Sequence, residues 1–120
     1  MDLAQGRKVV EIARKAIDLW TERRERLRLD EIPDFLSEKR GVFVTIHSYP
    51  GRELRGCIGY PEPVFPLFKG IIDSAISAAH DPRFPPLNRE ELDKIIVEVS
   101  VLTKPELVVV KNRRDLPNTI

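Results

Sequence analysis

Residues 2–28 contain no proline, and Val9, Ile12, Ala13, Ala16, Ile17 and Trp20 recur at the three-and-four spacing of one helical face. The spacing predicts a long amphipathic helix ending about Arg28. Its later turns hold Glu22, Arg23, Arg24, Glu25 and Arg26, a pattern expected of a solvated face. Residues 30–36 read as a connector with one helical turn, because Pro33 disfavours helix at the residue before it. Past Gly41, the β-branched Val42, Val44 and Ile46 alternate with Phe43, Thr45 and His47 and predict a strand inside a sheet. Tyr49, Pro50, Gly51 and Arg52 supply turn chemistry, and an extended run over 53–59 follows at hairpin distance. Residues 42–58 are therefore expected to form an antiparallel hairpin.

The second half begins at a break made by Pro61 and Pro63. Val64, Phe65, Leu67, Phe68, Ile71, Ile72, Ala75, Ile76 and Ala79 then give a broad apolar face, which predicts a largely buried helix ending near His80. Residues 81–87 include Pro82, Pro85 and Pro86, which fix φ and remove donors, so this run is expected to be a loop. Asn88 followed by Glu91 resembles a capping box for a short helix over 89–93. Val97, Val99 and Val101 then alternate with Ile96, Glu98, Ser100 and Leu102 in the clearest strand of the chain. Pro105 is expected to end it. Residues 107–110 form a further short strand, and residues 111–120 show turn residues and no closing element. About four strands and two long helices are enough to bury a core, with an open sheet left showing at least one exposed edge.

The composition fits one soluble globular domain: 120 residues, 32% charged, 42% hydrophobic and a net charge of +1. The longest apolar-leaning run, residues 95–102, falls far short of the ~20 residues of a membrane span. The first residues lack the basic stretch and apolar core of a secretory signal, so a cytoplasmic location is expected. The single cysteine, Cys57, excludes an intrachain disulfide and a Cys-rich zinc site. Basic and acidic residues balance in both halves, which disfavours nucleic acid as a partner, although Arg23, Arg24, Arg26 and Arg28 could form a local patch. Scarce amide and sulfur residues beside abundant Lys, Arg and Glu suggest a thermophilic source.

Chemistry concentrates in the block Leu54, Arg55, Gly56, Cys57, Ile58, Gly59. Two glycines in a strand mark a bulge or a close approach of backbone or ligand. Period two places Arg55 and Cys57 on one face, where a guanidinium could favour the thiolate, with Glu53 acting in the opposite sense. One reading is a nucleophilic or substrate-binding thiol with Arg55 as an anion clamp; the other is a small buried cysteine with a snorkelling arginine. His80 and Asp81 close the second helix, where a charged histidine is favoured and could act as acid or base if the fold brings the pair to Cys57. The competing reading is a surface histidine and a turn-forming Asp-Pro pair. His47 reads as packing or solvent-facing. Arg83 and Phe84, held between prolines, could grip an anionic or aromatic ligand, or Phe84 could plug the core. No phosphate loop, zinc spacing, serine elbow or dinucleotide fingerprint is present, and neither metal nor cofactor is expected.

Four blocks carry a family resemblance. Gly41 to Thr45, the hexapeptide Leu-Arg-Gly-Cys-Ile-Gly from Leu54 to Gly59, the run Asp-Pro-Arg-Phe-Pro-Pro-Leu from Asp81 to Leu87, and Glu98 to Leu102 follow the order seen in the AMMECR domain family, which this chain resembles over nearly its whole length. The resemblance implies a two-subdomain α+β fold with antiparallel sheets, of which residues 1–120 would be the N-terminal portion. It implies no settled activity, and it points to Memo-like and radical-SAM pathway proteins as associates. It also places the functional site at Arg55, Gly56, Cys57 and Gly59, extended to Asp81, Arg83 and Phe84. The expected function is a small-molecule or nucleotide cleft, binding or catalytic, around the hexapeptide. In that cleft Cys57 and Arg55, with His80 and Asp81, would be catalytic, and Gly56, Gly59, Arg83 and Phe84 would bind ligand. The alternative is a non-enzymatic interaction module with a structural hexapeptide strand. A homo-oligomer fits either.

Overall fold

A computed structural model describes the backbone of residues 1–102, 107–113 and 116–119, and the side chains of residues 1–102. Asp2 starts helix α1 (Leu3–Arg23): its carboxylate accepts from Gln5 N at 2.8 Å, and Gln5 Oε1 accepts from Asp2 N at 3.2 Å. The apolar stripe Val9, Val10, Ile12, Ala13, Ala16 and Ile17 is buried, as its spacing requires. The helix stops before the predicted Arg28. After Trp20 the next stripe positions are Arg23 and Arg24, and Arg24 turns the chain out with φ 56° and ψ 31°, its N–H reaching Trp20 O at 2.8 Å. Leu27 and Leu29 then pack back on the core from an irregular segment.

Helix α2 (Asp34–Ser37) is the single turn expected after Pro33. Strands β1 (Gly41–Ser48) and β2 (Leu54–Tyr60) form the antiparallel hairpin. Helix α3 (Leu67–Ala79) begins later than its apolar pattern, because Pro66 disfavours helix at Phe65. Phe65 packs edge-on against Tyr60 instead. The Asn88–Glu91 capping box opens a 3₁₀ turn (Arg89–Lys94), and β3 (Ile95–Leu102) follows directly.

The expected plain tail gives way to structure. Strand β4 runs over Leu107–Arg113 and β5 over Leu116–Thr119, so among the described residues the sheet has five strands in the order β2-β1-β3-β4-β5, all antiparallel. Pairing of Lys111, Asn112 and Arg113 with Glu98, Val97 and Ile96 extends β4 through residues whose local pattern is polar; the partner strand supplies what periodicity does not. The expected break at Pro105 lies outside the described residues.

Helices α1 and α3 pack on each other and on one face of the sheet. Val42, Val44 and Ile46 of β1 and Val97, Val99 and Val101 of β3 meet Ile17, Leu67, Ile71 and Ala75 there, all essentially inaccessible to water. Each such valine, leucine or isoleucine side chain contributes about 1.5–3 kcal/mol of transfer free energy. Alternation turns Phe43, Thr45, Glu98 and Ser100 to the opposite, outer face. Among the described residues no helix is long and apolar enough to cross a membrane.

Candidate functional site

Strand β2 lies at the sheet edge, beneath the end of α3 and the loop over 81–87. Its register with β1 passes from Ile46↔Gly56 to His47↔Leu54, so Arg55 is the extra residue of a β-bulge. At Gly56 the end of α3 crosses so closely that a Cβ would overlap the carbonyl of Ala78, and at Gly59 a Cβ would overlap Val42 O and the Phe43 ring. Both glycines, expected to bind ligand, make room for the protein's own backbone.

Arg55 leaves the bulge toward the 3₁₀ turn. Its Nε donates to Glu91 Oε2 at 2.7 Å and its Nη2 to Glu91 Oε1 at 2.8 Å, while Nη2 also approaches Pro86 O at 3.3 Å. This fork-on-carboxylate pair is the strong, directional kind. The Arg55 guanidinium holds the Glu91 carboxyl below its usual range, against the opposing effect of burial and with help from the Asn88 backbone. Arg55 therefore joins strand, loop and turn, and its charge is committed to Glu91 rather than to the Cys57 thiol.

Asp81 is 2% exposed, and every hydrogen bond it accepts is local to this corner. Oδ2 accepts from Cys57 N at 3.0 Å and from Arg83 Nη2 at 2.7 Å; Oδ1 accepts from Arg83 N at 3.0 Å and Arg83 Nε at 3.1 Å. The Arg83 side chain holds this carboxyl far below the usual carboxylate range; burial opposes, and the Cys57 and Arg83 N–H groups reinforce. Arg83 Nη2 also reaches Cys57 O at 3.5 Å. Asp81 and Arg83 thus take both backbone groups of Cys57, as a neighbouring strand would, and close the edge. A carboxylate so engaged has no proton to give, and its lone pairs face donors already in place.

The Cys57 side chain is partly buried and sits across from Thr45, with Sγ 3.3 Å from Thr45 Oγ1. Glu98 is the β3 partner of Thr45, so a thiol, a hydroxyl and a carboxylate-bearing residue occupy one row across three strands. His80 does not join them. Its Nε2 accepts from Trp20 Nε1 at 2.6 Å and lies 2.7 Å from Arg24 Nη1. Burial and then Arg24 lower its pKa, contrary to the charged histidine expected at a helix end. The two neighbours diverge: Asp81 faces β2 and His80 faces α1. Arg83 lies over the Phe84 ring at 5.4 Å, and the buried residue that plugs the core beneath the loop is Leu87, not Phe84. His47 is partly buried beside the bulge.

Sequence reasoning passed over Glu91 as the partner of Arg55, Thr45 as the neighbour of Cys57, and the Trp20–Arg24–His80 cluster. The sequence carries a signal for the first, since a charged side chain half-buried in a strand calls for a partner and Glu91 stands in the Asn88 capping box. Two hollows stand out among the described residues. One of about 530 Å³ lies between Lys39, Arg40, Pro61 and Leu102, and one of about 270 Å³ lies between Leu27, Arg28 and Phe68; neither includes Arg55 or Cys57.

The family model described as AMMECR1 matches residues 10–117. A protein of Methanothermobacter thermautotrophicus is 53% identical over 118 residues, which cover 97% of this chain and 60% of the relative. Protein MJ0810 of Methanocaldococcus jannaschii is 46% identical over 116 residues, covering 96% of this chain and 57% of the relative. The crystal structure of an uncharacterized protein, PH0010, from Pyrococcus horikoshii superposes with a TM-score of 0.81 at 44% identity, over 90% of this chain and 56% of that one. The chain thus spans somewhat more than half the length of these relatives. With the hexapeptide strand, the proline loop and the sheet order now placed, the chain belongs to the AMMECR1 family.

Proposed function

We propose that the chain is a binding module whose working surface is the outer face of the sheet around Cys57, and that a further polypeptide layer completes the site. The hexapeptide is in this reading a structural strand. One observation carries it: Arg55, Asp81 and the backbone of Cys57 are bound to one another's elements, while α1 and α3 both occupy the opposite face of the sheet. The outer face offers Phe43, Thr45, Cys57, Glu98, Ser100 and Leu102, a mixture of aromatic, hydroxyl, thiol, carboxylate and aliphatic groups suited to an interface. Sheets with apolar residues on both faces pack a layer on each. Relatives such as MJ0810 carry more polypeptide outside the matched region, and that polypeptide is the occupant assigned here. A small molecule held between the layer and the Cys57–Thr45 pair would meet a thiol, a hydroxyl and an aromatic ring.

Alkylation of Cys57, the one cysteine, tests the reading by mass. In the native chain iodoacetamide should react within about tenfold of the rate in the urea-unfolded chain at the same pH. Fusing the chain to the additional polypeptide of the Methanothermobacter relative should slow it by at least about tenfold, as covered thiols react slowly. An unchanged rate in the fusion removes the covering layer. A tenfold fall on Arg55→Ala in the chain alone would show Arg55 activating the thiol and would restore the catalytic cleft.

A further inference from the structure

Three side chains meet where the end of α1 passes the end of α3. Trp20 Nε1 donates to His80 Nε2 at 2.6 Å, Arg24 Nη1 stands 2.7 Å from the same nitrogen, and the indole and imidazole rings are edge-on at 6.0 Å. An indole N–H and a guanidinium can only donate. His80 Nε2 is therefore the acceptor, and the ring proton sits on Nδ1. Arg24 is also the left-handed residue that ends α1, so the helix cap and this contact share one residue.

We infer that His80 is a pH-sensitive latch fastening the end of α1 to the corner between α3 and the proline loop, closed while the imidazole is neutral and released when Nε2 takes a proton. Protonation puts an N–H where two donors already point, and sets an imidazolium against a guanidinium. The surrounding charges do not offset this. Arg24 comes from the α1 cap, and Arg89 of the 3₁₀ turn donates to Glu22 O, in the last turn of α1, at 3.2 Å. Asp81, the next residue, is turned to Cys57 and Arg83. Burial and Arg24 accordingly lower the His80 pKa from its ordinary 6.5. Between that lowered value and 6.5 the unfolded chain binds more protons than the folded one, so the latch's contribution is present above pH 6.5 and lost as the pH falls. Release parts Arg24 from His80, leaving it over the Trp20 ring at 5.8 Å, and unfastens from α3 the cap at which the irregular segment carrying Leu27 and Leu29 begins.

Trp20 is the sole tryptophan and reports the latch directly. Its fluorescence, followed from pH 8 downward with far-UV circular dichroism as the control for folding, should show a transition with its midpoint below 6.5. His80→Gln, which keeps an acceptor for the indole but cannot titrate, should abolish the transition. Arg24→Gln, which removes the like charge, should move the midpoint upward. A transition that survives in His80→Gln, a wild-type midpoint at or above 6.5, or an Arg24→Gln midpoint that does not move each overturns the latch. The last two results stand even if His80→Gln fails to fold.

Discussion

Removing the Arg55 guanidinium tests whether the hexapeptide strand is held by its charge or merely contains it. In Arg55→Ala, Glu91 loses both charge-assisted bonds, at 2.7 and 2.8 Å, and Pro86 O loses its neighbour at 3.3 Å. The Arg55 side chain is 15% exposed and that of Glu91 29%, so the pair lies between the surface limit of under about 1 kcal/mol and the buried limit of about 3–5 kcal/mol for a broken pair. Glu91 keeps the Asn88 N–H and some access to water, which places the loss near 2 kcal/mol, the ordinary worth of hydrogen bonds to a charged group. For a domain of this size that is a fall in Tm of roughly 8 °C. Urea unfolding of Arg55→Ala, Glu91→Gln and the double variant separates the pair from its surroundings. The two single losses should overlap, with a coupling of about 1 kcal/mol or more. Strictly additive losses, or a single loss within about 0.5 kcal/mol of zero, would refute the claim that this pair joins β2 to the 3₁₀ turn.

Three further outcomes follow, two of them from the same corner. Gly56→Ala should cost about 3 kcal/mol or more in urea unfolding, since its Cβ meets the Ala78 carbonyl and α3 would have to lift from the sheet; a loss under about 1 kcal/mol would show that the helix end yields easily. Asp81→Asn should lower stability at neutral pH by about 1–3 kcal/mol, because one acceptor facing Cys57 N or Arg83 is replaced by a donor. Since the folded carboxyl is held below its ordinary 3.8, the wild-type advantage should be whole above that pH and shrink as the pH falls further, a gap that urea unfolding at pH 7 and pH 3 measures. Lastly, the charged, amide-poor composition predicts a thermal midpoint above the roughly 45–65 °C of mesophile domains, which calorimetry reads directly.

What the sequence made legible was whatever the chain determines locally. The stripe from Val9 to Ile17, the hairpin, the Asn88 cap and the alternation of β3 all emerge from periodicity and capping because each is set by neighbours a few residues away. The strand over residues 116–119 was not legible, because its pattern is polar and its existence depends on β4. The same division runs through the site. Two glycines in one strand mark a close approach; what approaches them, Ala78 at Gly56 and Val42 at Gly59, is set by packing. Period two put Arg55 beside Cys57, but the bulge at Arg55 and the carboxylate 36 residues away redirected the guanidinium.

The pairing of Asp81 with Arg83 shows why such an exchange of partners is physically favoured. An edge strand presents N–H and C=O groups that water can satisfy only while it remains exposed, and another chain can satisfy them just as well. A loop that carries a carboxylate and a guanidinium two residues apart supplies one acceptor and one donor, the complement of a single peptide edge. Pro82 between the two residues, and Pro85 and Pro86 after them, limit the entropy lost in holding the loop there. Charged residues in a rigid loop beside a lone cysteine look like catalytic equipment when read along the chain. In three dimensions the same residues seal β2 at Cys57, and the seal leaves the thiol directed along the Thr45 row on the outer face. If that is their work, Arg83→Ala should expose the β2 edge and raise self-association in sedimentation velocity. It should leave the rate of Cys57 alkylation in the monomer fraction unchanged. A variant that stayed monomeric while its thiol slowed tenfold would assign Arg83 to the chemistry of Cys57 instead.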